Sequence, residues 1–262
     1  PSESVAIAAT QGPVGGHPSH PGAFTSLINN CGRQRLWRDA LALVGEMRRR
    51  ALEPNAITYN VAISACAKGK AWQMAVVLLQ EMRRSGLEPD VITYGSVISA
   101  CSKGEGWEQA VALLAEMQWR GIEWDVITLS AAISAFEKGG EWRQALSLLG
   151  VMRQCVVELD VIIYNAAISA CDRGRKWELA LELMENMRQI SIEHDAITFN
   201  AVISACEKDS KWELALELIA EMRQARIDPN TITYNAVISA CERGDRSDHA
   251  LQMVDETQHS SV

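Results

Sequence analysis

The sequence predicts an all-α fold, a superhelical α-solenoid of seven 35-residue helix-turn-helix repeats. An aromatic or large apolar residue recurs every 35 residues without any insertion. An isoleucine four residues further on and a methionine keep the same step, as does a tryptophan. A fixed period of this length indicates stacked helical hairpins. The aromatic series consists of Phe24, Tyr59, Tyr94, Leu129, Tyr164, Phe199 and Tyr234.

Each unit contains two amphipathic stretches. Tyr59, Ala62, Ile63 and Cys66 lie at i, i+3, i+4 and i+7, which predicts one apolar stripe on a helix. A second helical stretch begins at each tryptophan. A glycine between the two is expected to take the left-handed conformation that ends many helices. Because helices of about a dozen residues are marginal alone, each hairpin must bury its stripe against its neighbours.

The period divides the chain into six complete units and a shorter last one. Residues 1–20 are rich in Gly and Pro and lack periodicity, so we expect a flexible leader there. The expected repeats are 21–55, 56–90, 91–125, 126–160, 161–195, 196–230 and, truncated, 231–262.

Composition excludes several classes of function. The net charge is −8, whereas a nucleic-acid binder is more often basic. The sequence has no run of eighteen apolar residues, so we expect no membrane span. The five histidines lack metal-ligand spacing, and no P-loop, dinucleotide turn or deaminase signature is present. We therefore expect no enzyme activity, no cofactor, no metal and no small-molecule substrate.

The cysteines also follow the period, which indicates a packing role. Phe136 fills their position once, and a phenylalanine can neither pair as a disulfide nor bind metal. Free thiols in this number favour a reducing compartment. The series comprises Cys31, Cys66, Cys101, Cys171, Cys206 and Cys241.

The units resemble P-type pentatricopeptide repeats over residues 21–262. The resemblance rests on the opening Ile57-Thr58-Tyr59-Asn60, on Ile63-Ser64-Ala65 and on the closing Gly86-Leu87-Glu88-Pro89-Asp90, which recur along the chain. In some units the usual loop proline is replaced. The substitutes are Trp124, Leu159 and His194.

This resemblance implies that single-stranded RNA is read at one base per repeat. In the family, an apolar residue two positions before the helix aromatic sandwiches the base. The first unit offers only Gly22 at this position. The implied sandwiching residues are Ile57, Ile92, Ile127, Ile162, Ile197 and Ile232.

The resemblance also implies that the residue after the aromatic and the last residue of the same repeat contact the base edge. With the N-terminal repeat at the RNA 5′ end, the implied target is 5′-A-U-N-G-U-C-pyrimidine-3′. Gly95 with Asp125 departs from the family pattern, and Asn235 lacks its partner. The remaining pairs are Thr25–Asn55 for adenine, Asn60–Asp90 and Asn165–Asp195 for uracil, Ser130–Asp160 for guanine, and Asn200–Asn230 for cytosine with uracil tolerated.

One basic residue per repeat stands nine positions after the aromatic. Such a ladder suits one phosphate contact per nucleotide. It equally suits the negative end of a helix dipole, and the two explanations are compatible. In later units an acidic residue directly precedes the cation, and we expect it to weaken the local potential. The ladder consists of Arg33, Lys68, Lys103, Lys138, Arg173, Lys208 and Arg243.

These features predict sequence-selective binding of single-stranded RNA. By family resemblance alone, the expected role is processing, stability or translation of organellar transcripts, in chloroplast or mitochondrion. The alternative is a protein-interaction scaffold that holds a peptide on a concave face. A third is a piece of a larger enzyme whose catalytic domain lies beyond Val262. Protein partners cannot be inferred. The restricted polar pairs favour RNA, because a peptide scaffold has no evident need for them.

Overall fold

The computed structural model describes residues 20–154, 159–251 and 253, and these residues contain α-helices and no strand. The predicted leader, apart from His20, lies outside the described residues. Seven first helices alternate with second helices that each begin at a tryptophan. The bounds are α1 Pro21–Arg33, α2 Trp37–Arg49, α3 Ala56–Lys68, α4 Trp72–Arg84, α5 Val91–Lys103, α6 Trp107–Trp119, α7 Val126–Gly139, α8 Trp142–Gln154, α9 Val161–Arg173, α10 Trp177–Gln189, α11 Ala196–Lys208, α12 Trp212–Gln224 and α13 Thr231–Arg243.

The chain forms two compact units, residues 1–135 and 136–262, and α7 runs through their boundary. In the first unit, α1 packs on its own second helix α2 and on the next first helix α3. In the second unit, α9 packs in the same way on α10 and α11. Residues 247–251 are also helical. The predicted all-α fold of helical-hairpin repeats is therefore confirmed.

The core consists of the residues that carry the period. The aromatics Tyr59, Tyr94 and Tyr164 are fully buried, as are the isoleucines four residues later. The six described cysteines are buried and free. Burial raises the pKa of Cys66, Cys101 and Cys171 to about 12, so these thiols stay protonated and inert at neutral pH. Their expected packing role is confirmed.

The glycine after the first helix is explained by packing and not by the expected left-handed conformation. Gly69 has φ −87°, and the left-handed residue is Lys70, with φ 58°. A Cβ on Gly69 would lie 2.2 Å from Cδ1 of Trp37 in the preceding repeat. The expectation of a left-handed glycine is wrong, because at Gly69 it is the close approach of the Trp37 indole that favours glycine. The same contact recurs in the pairs Gly104–Trp72, Gly174–Trp142 and Gly244–Trp212.

Two of the substitutes for the loop proline tie the loop to the second helix. The indole Nε1 of Trp124 donates to the carbonyl oxygen of Leu114 at 3.3 Å, and Nε2 of His194 lies 2.9 Å from that of Met184. Each bond spans ten residues and fixes the chain as it leaves the hairpin. Trp124 is thus engaged with α6, although its neighbour Asp125 belongs to a predicted base-reading pair.

Replacing Gly69 with alanine should destabilise the chain by about 1–3 kcal/mol, because the added methyl overlaps the indole of Trp37. Gly45 is the matched control. It lies inside α2 with nothing within 4 Å of an added Cβ, so Gly45→Ala should stabilise by about 0.5–1 kcal/mol. Urea unfolding of both variants measures the difference. Equal effects of the two substitutions would contradict the proposed contact.

Candidate nucleic-acid interface

A row of exposed isoleucines follows the period. Ile57, Ile92 and Ile127 in the first unit are 64%, 62% and 73% exposed. The second unit repeats the pattern, with exposures of 61–69%, at Ile162, Ile197 and Ile232. Each is the second residue of a first helix, beside residues that are fully buried. An exposed apolar side chain repeated at one position contributes little to folding and marks a contact surface.

The last residue of each repeat caps the next first helix. The Asn55 side chain accepts a hydrogen bond from the Thr58 backbone N–H at 2.9 Å, and Asp90 accepts one from Thr93 at 2.8 Å. Asn and Asp are among the strongest N-caps. A peptide scaffold would therefore also benefit from Asn or Asp at this position, because the side chain stabilises the helix start, and the expectation that only RNA explains the restriction is wrong. The further caps are Asp125, Asp160, Asp195 and Asn230.

In four repeats, a buried threonine joins the cap to the preceding repeat. Thr93 is fully buried, and its Oγ1 lies 2.7 Å from Asp90 Oδ1 and 2.8 Å from Asn60 Oδ1. The two residues assigned to one base are thus linked through one hydroxyl. Thr198 links Asn165 with Asp195, and Thr233 links Asn200 with Asn230, in the same way.

This linkage orients the asparagine amides. Because the carbonyl oxygen of Asn60 is engaged by the threonine, its amide N–H groups are directed elsewhere, and these can donate to an acceptor on a base edge. Asn165 Nδ2 donates to Asp195 Oδ1 at 3.0 Å, so this pair is in direct contact. Burial favours the neutral acid of Asp90, but hydrogen bonds from Thr93 outweigh it. The pKa of Asp90 is therefore lowered, and the carboxylate is charged at neutral pH.

The other predicted readers are placed differently. Thr25 Oγ1 lies 3.0 Å from Thr58 Oγ1 and donates to the Pro21 carbonyl oxygen. Ser130 Oγ donates to the Val126 carbonyl oxygen at 2.7 Å. Asn235 is exposed. Thr58 Oγ1 in turn donates to Asn55 Oδ1 at 3.0 Å, so Thr25 is linked to its partner through a threonine hydroxyl, as Asn60, Asn165 and Asn200 are, whereas Ser130 bonds to its own helix.

Gly95 leaves a gap in this arrangement. Thr128 Oγ1 is buried without a hydrogen-bond partner, and a Cβ on Gly95 would lie 2.9 Å from it. A cavity of about 230 Å³ opens beside it. Predicted sandwiching, reading and phosphate-binding residues of neighbouring repeats all line this one cavity. They are Ile92, Ile127, Gly95, Asp125, Lys68 and Lys103.

The basic ladder lies at the ends of the first helices. Arg33, Lys68, Lys103, Arg173 and Arg243 are exposed. Lys138 and Lys208 are half-buried. Their position in the last helical turn suits both the helix dipole and a phosphate contact.

The described part of the chain contains no group of three or more His, Cys, Asp or Glu side chains placed to hold a metal ion. Within the same residues, no helix is long and apolar enough to cross a membrane.

Family models match nearly the whole chain. The model described as "Pentatricopeptide repeat domain" matches residues 112–173, 155–209 and 182–243. Two further models, "PPR repeat family" and "PPR repeat", match residues 22–68 and 58–103, and residues 92–122 and 232–262. No curated protein matches the sequence.

Solved structures are similar as well. The pentatricopeptide repeat protein PPR10 from maize is 32% identical with a TM-score of 0.70, over 90% of this chain and 34% of that one. PPR10 in complex with an 18-nt psaJ RNA element is 26% identical with a TM-score of 0.56, over 100% and 42%. The PPR domain of Arabidopsis thaliana protein-only RNase P 1 in complex with tRNA shares the fold at 16% identity, with a TM-score of 0.58, over 68% and 93%.

Thirty-five-residue helical hairpins that repeat one capping and packing scheme define a helical-repeat protein. The chain belongs to the pentatricopeptide repeat family. It spans 34% and 42% of the two PPR10 chains to which it is similar.

Gly95→Asn should be more stable than Gly95→Ala by about 1 kcal/mol, because both bring a Cβ to 2.9 Å from Thr128 Oγ1 and only asparagine adds an amide oxygen that can pair with this buried hydroxyl, as Asn60 pairs with Thr93. Gly95→Ala is the control, since it adds a Cβ without an acceptor. Thermal unfolding should rank asparagine above alanine. An alanine variant as stable as the asparagine variant would refute the pairing.

Asp90→Ala should cost about 1 kcal/mol of stability because it removes the cap of α5, whereas Asp90→Ser, which retains a capping oxygen, should change stability by only a few tenths of a kcal/mol. Chemical denaturation of the two variants measures the difference. If serine cost as much as alanine, capping would not explain the residue.

Proposed function

We propose that the chain binds single-stranded RNA at one nucleotide per repeat, with the target 5′-A-U-N-G-U-C-pyrimidine-3′. The cavity at Gly95 carries this proposal. Its walls bring together the exposed isoleucines of two neighbouring repeats, a reading pair and two ladder lysines. A nucleotide presents the same three features, namely two apolar ring faces, a polar edge and an anionic phosphate.

Each part of the cavity suits one part of a nucleotide. Ile92 and Ile127 come from successive repeats and are exposed, so a base that lies between them buries apolar surface on both of its faces. The base edge then meets the side chains at residues 95 and 125. Lys68 and Lys103 supply positive charge for the backbone.

Similarity supports RNA as the ligand. The PPR10 structure in complex with an RNA element is 26% identical to this chain over its whole length. We further propose that the protein acts in processing, stability or translation of organellar transcripts. This broader role rests on family membership alone, because the chain spans less than half of the PPR10 chain in that complex.

The polar side chains at the last position of each repeat cap the next helix, so they do not separate an RNA reader from a peptide scaffold. The isoleucine row is better suited to RNA, because one exposed apolar side chain per repeat, absent from the core, matches one base per repeat. Lys68 and Lys103 add positive charge beside two of these isoleucines, which suits an RNA phosphate.

Binding of fluorescent 5′-AUNGUCY-3′ RNA, measured by anisotropy, tests the proposal. The expected order of affinity is target RNA first, then a scrambled RNA of equal composition. The DNA equivalent provides a second comparison, and two salt concentrations separate charge from base contacts. Equal affinity for all three oligonucleotides, or no binding, would overturn a base-reading function.

Ile197→Ala should weaken binding of the target RNA about fivefold, roughly 1 kcal/mol, by removing one face of the sandwich. The matched control is Ile190→Ala, which removes an exposed isoleucine outside the row. Both variants should unfold at nearly the wild-type temperature. Equal losses of affinity in the two variants would contradict the assignment of the row.

A further inference from the structure

The net negative charge of the chain comes from one of its two units. Residues 1–135 hold 12 basic and 12 acidic residues, whereas residues 136–262 hold 13 basic and 21 acidic residues. The first unit is therefore neutral, and the second carries the whole net charge of −8. Both units carry cations of the basic ladder, but the acidic residues near these cations differ between the units.

Three of the four ladder cations of the second unit pair with acidic side chains. Lys208 Nζ lies 2.8 Å from Asp172 Oδ2 and 3.2 Å from the Asp172 carbonyl oxygen. Arg243 Nη2 lies 3.3 Å from Glu207 Oε1. Arg173 makes a longer contact of 3.9 Å with Glu137. In each case the carboxylate stands 36 residues before the cation, so one repeat neutralises the cation of the next.

The first unit has no such carboxylates. The residue 36 positions before Lys68 is Gly32, and the one before Lys103 is Ala67. Among the described residues, no ion pair involves Arg33, Lys68 or Lys103. All three are exposed, and the two lysines line the cavity at Gly95. Their charge is available to a ligand.

This difference changes what a phosphate gains at each repeat. A phosphate that meets an unpaired lysine is neutralised and releases its condensed counterions, which on single strands contributes about 0.7 to the slope of log affinity against log salt. A phosphate that meets Lys208 must share it with Asp172. The net charge of the three groups stays negative, so little counterion is released.

We propose that the two units bind RNA by different means. The cations of the first unit bind the phosphate backbone, whereas the carboxylates Glu137, Asp172 and Glu207 weaken phosphate binding in the second unit. This inference rests on the proposed RNA-binding function. In the second unit, base contacts supply most of the affinity. A strand without matching bases is therefore held by the first unit alone.

The salt dependence of binding to 5′-AUNGUCY-3′ RNA tests this division. Lys68→Gln/Lys103→Gln should lower the slope by about 1.4, which corresponds to two phosphate contacts. The matched variant Lys208→Gln/Arg243→Gln should lower it by less than about 0.5. Equal losses in the two double variants would overturn the proposal.

A variant that gains phosphate binding in the second unit tests the role of the carboxylates directly. Asp172→Asn/Glu207→Gln releases Lys208 and Arg243, and it should raise the slope by about 1.4 and tighten binding at low salt. Adding Lys208→Gln/Arg243→Gln should abolish that gain. An unchanged slope after removal of the carboxylates would overturn the proposal while leaving RNA binding intact. A wild-type chain that binds no RNA would instead overturn the proposed function itself.

Discussion

A buried threonine hydroxyl near the start of a first helix joins one repeat to the repeat before it. In the Thr93 example, the hydroxyl meets the capping carboxylate of Asp90 and the amide oxygen of Asn60. Because a buried hydroxyl without a partner costs free energy, the helix start, the cap and the reading amide are fixed together. The reading side chains Asn60 and Asp90 are therefore held in place by the same bonds that join the two repeats.

That coupling limits how the interface can vary. The last residue of a repeat caps the next helix, which favours a few small polar side chains there. The residue after the aromatic varies more, as Gly95 shows. The lack of a side chain at Gly95 leaves the Thr128 hydroxyl without a hydrogen-bond partner beside a cavity. The isoleucine row and the basic ladder are not part of this network. The affinity of the ladder for phosphate can therefore change with neighbouring charge alone, and carboxylates pair with ladder cations in the second unit.

Much of the fold followed from the sequence, because a strict period of 35 residues with helical spacing admits one kind of architecture. The burial of the aromatics, isoleucines and cysteines was predictable for the same reason. The role of Gly69 was not, because the contact with Trp37 joins residues of different repeats. Capping by Asp90 could have been recognised, since a small polar residue directly before a helical stretch is an N-cap signal. The pairing of Lys208 with Asp172 spans 36 residues, and local spacing on one helix does not show it.

The proposed RNA recognition depends most on one repeat reading one base through the linked pair. The most direct measurement is a double-mutant cycle between Asn60→Ser and the RNA, in which each base of the target is changed in turn. Serine with Asp90 would match the Ser130–Asp160 pair, so the account predicts a coupling of about 1 kcal/mol or more when uracil at the second base is replaced by guanine, and none at other bases. No coupling at the second base, or an equal coupling elsewhere, would contradict it.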